Sequence, residues 1–112
     1  MTVLSDASPI LASDIEKGLV ALDRRDLVEQ VLQTEIANCT FGDDHDVGYV
    51  YFVRKQYPVP SVHNEAAPIA ETISVSEYDL CVDIDDEGNV FGVEYICRSD
   101  IWAELRAFRT GK

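Results

Sequence analysis

A chain of 112 residues with 46% hydrophobic and 27% charged residues has the makings of one globular domain around one modest core, and is not a largely disordered polymer. Its formal net charge of −12 argues against nucleic acid or anionic lipid as a partner and favours a basic one. The longest apolar runs are strand-sized, so no membrane span is expected, and Met1–Ala12 has neither the basic start nor the apolar stretch of a secretory signal.

Residues 1–12, with Pro9, read as a loose N-terminal arm of a single domain. A helical segment over 13–39 follows. Ser13-Asp-Ile-Glu16 has the spacing of a capping box, in which Ser13 caps an early amide and Glu16 reaches back. Ile15, Leu19 and Leu22 then recur at helical spacing, as do Leu27, Val28, Val31, Leu32 and Ile36. The two stripes do not share a continuous face, and Asp23 could cap a second helix, so the segment is either one helix with a phase shift or two short ones.

From Phe41 the period becomes extended, and residues 41–97 read as a sheet. Val47 to Val53 is aromatic and β-branched, as a strand wants, with Tyr49 and Tyr51 on one face and Val50 and Phe52 on the other. A strand apolar on both sides is either covered twice or meets a partner. Gln56 to Pro68 holds three prolines and reads as an irregular connection. Glu71–Ser76, Leu80–Ile84 and Val90–Ile96 are further strands, the last two joined by the hairpin signal Asp85-Asp86-Glu87-Gly88-Asn89.

Alternation predicts the register of this hairpin. Leu80 opposite Tyr95, Val82 opposite Val93 and Ile84 opposite Phe91 give one wholly apolar face, leaving Cys81, Asp83, Asp85, Val90, Gly92 and Glu94 on the other. The same count puts Cys97 on the apolar face. A last helix over 99–109, capped by Ser99, carries the stripe Ile101, Trp102, Leu105, Phe108, with Asp100 early and Arg106 and Arg109 late. The fold class is therefore α+β, an antiparallel meander of three to four strands with the helical segments packed on one face.

The three cysteines, Cys39, Cys81 and Cys97, are an odd set without zinc or disulfide spacing, and read as reduced, packed thiols of a cytoplasmic protein. No nucleophile elbow, phosphate loop or paired acid and base stands out, so the chain does not read as an enzyme and implies no cofactor. Asp83, Asp85, Glu87, Gly88 and Glu94 approach the spacing of a calcium loop, but the flanks are strands where that loop needs helices, and a hairpin turn explains the same residues. Asp43-Asp44-His45-Asp46, with His63 as a distant helper, mixes carboxylate and imidazole without completing a metal site.

The charge is unevenly placed. Residues 41–97 carry twelve acids against Arg54 and Lys55, whereas 98–112 are mildly basic. Asp43, Asp44, Asp46, Asp83, Asp85, Asp86 and Glu87, with Tyr49 and Tyr51 as aromatic anchors, form the expected contact set for a small basic protein. A structural or homo-oligomeric domain without a ligand of its own, such as a homodimer through the Tyr49/Tyr51 strand, is the alternative, and a calcium- or metal-binding hairpin a lesser one.

Residues 41–96 also resemble a small bacterial family, the domain of unknown function numbered 2283. The likeness rests on Phe41-Gly-Asp43-Asp44-His-Asp46-Val47-Gly-Tyr49-Val50 and on Val82-Asp83-Ile-Asp85-Asp-Glu-Gly88-Asn-Val-Phe-Gly92-Val93-Glu94, with Phe41-Gly42 standing where the family has Tyr-Asp. The resemblance leaves out both helical ends and implies no activity. It implies an acidic partner of a small basic protein, of the immunity or antitoxin type.

Overall fold

In the computed structural model, which describes residues 2–53 and 69–110, helix formation starts before Ser13. A single turn, α1 (Leu4–Ala7), is followed by α2 (Pro9–Ala21). Ser8 lies between them in an extended conformation and is the true N-cap: its Oγ accepts from the Leu11 amide at 3.1 Å. Pro9 takes the first helical position, where its missing N–H costs nothing. The loose arm expected over 1–12 is thus part of the core, with Leu4 and Leu11 fully buried. Leu4 and Ala7 of α1 and Leu11 and Ile15 of α2 all reach the core, and Pro9, read as part of a loose arm, opens α2. Ser13 sits inside α2 on its exposed side and caps nothing.

The helical segment is broken in two. Asp23 adopts a left-handed conformation (φ 62°), and the Arg24 amide returns to the Leu19 carbonyl, closing the end of α2. A short 3-10 turn (Arg25–Leu27) leads into α3 (Val28–Gln33). Ile36, expected on the helical stripe, instead opens a strand, β1 (Ile36–Phe41). A bulge between Ile36 and Asn38 places Ile36, Cys39 and Phe41 together against the core, a spacing that hides the strand's alternation.

Four more strands follow: β2 (Gly48–Phe52), β3 (Ile69–Val75), β4 (Leu80–Asp85) and β5 (Val90–Tyr95). All pairings are antiparallel and the order is β1-β2-β5-β4-β3, so the α+β class holds with five strands where three or four were expected. The proline-rich connection Gln56–Pro68, including His63, lies outside the described residues.

The hairpin keeps the predicted pairs Leu80–Tyr95 and Val82–Val93, but Ile84 pairs with Val90, not Phe91. A bulge at Phe91 turns its ring to the far side of the sheet and brings Val90 into the core. Gln30 Oε1, from α3, accepts from the Val90 amide at this irregular point. Gly88 supplies the positive φ (83°) of the turn. After β5 the chain turns left-handed at Cys97 (φ 56°), which is exposed: strand alternation does not extend past Tyr95, so the expected packing of this thiol fails.

The last helix, α4 (Ser99–Thr110), begins one residue earlier than a Ser99 cap requires, since the Trp102 amide bonds to the Arg98 carbonyl. Its Ile101 and Leu105 are buried, Trp102 is half-buried and Phe108 is exposed. One core joins α1 to α4 with Val50, Phe52, Ile73, Val75, Val82, Val93 and Tyr95, so all four helices cover the same side of the sheet.

Two polar links fasten α4 to α2. Glu104 Oε1 accepts from the Ser8 hydroxyl (2.7 Å) and the Ile10 amide (3.0 Å), capping α2 from the far end of the chain. Arg98 donates to Asp14 Oδ2 (2.7 Å), Asp100 Oδ2 (2.9 Å) and the Tyr78 carbonyl (2.8 Å). Its hydrogen bonds hold the Asp100 carboxyl below the usual carboxylate range.

Candidate functional site

The sheet face opposite the helices is built by the strands' second set of side chains. Cross-strand pairing of Tyr49 with Glu94, Tyr51 with Gly92, Asp83 with Gly92, Cys81 with Glu94 and Thr72 with Asp83 puts these residues on it. At its centre the rings of Tyr49 and Tyr51 lie 4.5 Å apart, and Phe91 meets them edge-on at 6.4 and 5.9 Å. Phe91 is 6% exposed yet stands outside the core cluster, which confirms that the bulge delivers it to this side. Gly92 is required here: a Cβ would run into the Tyr49 ring and come within 2.6 Å of the Val50 carbonyl.

Asp83 is locked into the face. Tyr49 Oη donates to Asp83 Oδ2 and Thr72 Oγ1 to Asp83 Oδ1, both at 2.6 Å. Burial, then this hydrogen bond, pushes the Tyr49 phenol well above its ordinary value; burial and the Asp83 charge also raise Tyr51. Both therefore stay protonated at neutral pH. The five strands together hold Glu71, Asp83, Asp85 and Glu94 and no lysine or arginine. Of these, Asp83 and Glu94 stand on this face, so among the described residues its charge is negative around an aromatic centre.

The other expected contact residues do not join it. Asp43, Asp44 and Asp46 lie on the β1–β2 turn, and Asp86 and Glu87 on the β4–β5 turn, at opposite ends of the sheet. Five residues of strand separate the two, or about 17 Å. Asp85 is 2% exposed, and its Oδ1 accepts from the Glu87 and Asn89 amides at 2.9 Å each, so it shapes the turn. The residues with calcium-loop spacing are therefore distributed over a strand face and a hairpin turn. His45 (φ 64°) stacks on Trp102 at 4.4 Å, which pins the first acidic turn to α4. Among the described residues, no three His, Cys, Asp or Glu side chains converge as metal ligands.

No protein-family model matches the chain, and no curated protein or solved structure is similar to it.

Among the described residues, two surface hollows lie away from this face. One of about 290 Å³ lies between β1 and α4, lined by Ile36, Cys39, Phe108 and Arg109. Arg109 is engaged there by Asn38 Oδ1 and the Cys39 carbonyl, and burial pushes the Cys39 thiol up to about 11. The other, of about 380 Å³, is an open groove between α2 and α3 with Glu16, Arg25 and Glu29 at its rim. Neither sets a nucleophile beside a base. Among the described residues, no helix is long and apolar enough to cross a membrane.

Sequence reasoning found Tyr49, Tyr51 and Asp83 but not Thr72 or Phe91. Thr72 is visible only once β3 is paired with β4. Phe91 is visible only once the bulge is known.

Proposed function

We propose that this chain is an acidic protein-binding module whose contact surface is the sheet face opposite the helices, and that its partner is a small basic protein such as a toxin or nuclease that it neutralises. The observation that carries this reading is the composition of the face: Tyr49 and Tyr51 at the centre against the buried Phe91 ring, Asp83 and Glu94 beside them, and no base on any strand. Tyrosines anchor protein interfaces well because they bury a large ring at little entropic cost, and their faces attract arginine and lysine. The net charge of −12 steers a basic protein toward the chain and raises the encounter rate. The resemblance of residues 41–96 to the family numbered 2283 would point the same way.

The contact set is narrower than composition alone implies. Tyr51 and Glu94 lead it, with Tyr49 and Asp83 as a pre-formed polar pair. Asp85 is removed, and the two acidic turns act at a distance by steering. The test is co-expression with the product of the adjacent gene and co-purification at low and high salt. A complex that weakens steeply with salt and is lost on Tyr51→Ser supports the reading. No complex at low salt, or a homodimer that buries the same face, refutes it.

A further inference from the structure

The two edges of the sheet differ. At the β1 edge the Ile36 amide bonds to the Thr2 carbonyl, and Arg109 donates to the Cys39 carbonyl and to Asn38 Oδ1, so the backbone of this edge is guarded from both ends. At the other edge β3 runs for seven residues with Ile69, Ala70, Glu71, Thr72 and Ser74 exposed. Among the described residues no backbone lies beyond it. It contains no proline and a single charge, and past the bulge between Ile69 and Glu71 its pairing with β4 is regular, so Glu71–Val75 lacks most of the devices that keep edge strands from pairing.

The charge around β3 selects what can pair with it. Glu71 lies on the strand, Asp86 on the turn next to its first residue, and Glu77 and Asp79 just past its last, all exposed. Arg24 bridges Asp26 (3.2 Å) and Glu71 (3.1 Å), and Arg98 donates to the Tyr78 carbonyl past the end of β3, so this edge accepts arginine. A second copy of this chain would bring the same acids against them.

We propose that β3 receives an extended lysine- or arginine-bearing segment of the partner as a sixth strand, a mode in which main-chain hydrogen bonds supply affinity and alternate side chains supply specificity. The inference rests on the binding-module reading and gives it a geometry. The added strand continues the open face from Thr72 and Ser74, so its inward-facing side chains extend the aromatic surface while its cations meet Glu71 and the flanking acids.

The experiment uses the full chain, isotope-labelled, titrated at low salt with a short peptide of alternating lysine and valine and with the same peptide carrying proline at every second position. The expected result is a gain of about tenfold or more in hydrogen-exchange protection at amides of 69–75 with the first peptide and none with the second. Glu71→Lys should weaken the peptide by about tenfold, whereas Glu16→Lys, the same charge change on the exposed side of α2, should change it by less than about twofold. Both substitutions are at the surface, and a melting curve for each verifies the fold. Equal weakening by the two variants, or no binding of the peptide, overturns strand addition. If a basic protein binds but protects the Tyr49/Tyr51 strand and leaves 69–75 unchanged, strand addition falls and the module reading stands. If no basic partner binds at low salt, both fall.

Discussion

Arg98→Ala removes the side chain that ties the start of α4 to α2 and to the turn after β3. The Arg98 side chain is 15% exposed and that of Asp14 17%, while Asp100 is 48% exposed, so one of the two ion pairs is largely buried and the other is at the surface. At 2.7 Å the Arg98–Asp14 attraction is several kcal/mol before desolvation is subtracted. Breaking a fully buried pair costs about 3–5 kcal/mol, because it strands the remaining charge, whereas a surface pair is worth less than about 1. With Asp14 partly solvated and the Tyr78 carbonyl also losing a donor, about 2–4 kcal/mol is expected, and for a domain of this size about 8–16 °C in Tm. Urea unfolding at pH 7 measures it, and a double-mutant cycle with Asp14→Ala isolates the pair. Because Arg98 depresses the Asp100 pKa in the folded state, its contribution through Asp100 is present above the ordinary carboxylate pKa and lost as pH falls through the lowered value. The cost of Arg98→Ala should therefore shrink in acid. A Tm loss of less than about 2 °C at pH 7, or a coupling to Asp14 near zero, would refute the account of Arg98 as a buried tie.

Three other substitutions test separate parts of the fold. Gly48→Ala would press a methyl against Tyr95 Oη and to within 2.5 Å of the Thr40 carbonyl, so a destabilisation of about 2–3 kcal/mol is expected in urea titrations. Tyr95→Phe removes a hydroxyl that is buried without a partner among the described residues; stability should be unchanged or rise by up to about 1 kcal/mol in the same assay. Glu104→Ala strips two hydrogen bonds from the start of α2 and should cost about 1–2 kcal/mol, with hydrogen exchange rising at 10–12 before it rises in the sheet.

What the sequence made legible was whatever depended on local period. Strong alternation marked β2, β4 and β5, and the acidic turn with Gly88 marked their hairpin. The failures have one cause in common, a residue whose partner is remote. Ser8 outranks Ser13 as a cap because Glu104 and the buried Leu4 and Leu11 hold it there. Ile36 leaves the helical stripe because β2 pairs with it, and Phe91 changes faces at a bulge whose Val90 amide is held by Gln30. At the site, the aromatic strand was readable from alternation, but the division of the acids between two ends and the open face was not. That division is set by strand order, which no local pattern encodes.

The capping of α2 by Glu104 also has a bearing on how the protein is made. On the ribosome, Pro9–Ala21 emerges before the sheet, yet the carboxylate that satisfies the Ser8 hydroxyl and the Ile10 amide is synthesised more than eighty residues later. A helix this short is marginal alone in water. The N-terminal layer is therefore expected to form last in a nascent chain, after the sheet, when α4 arrives to complete it. Until then the apolar underside of the sheet is bare, and a chain stalled before residue 98 presents that surface to whatever is nearby.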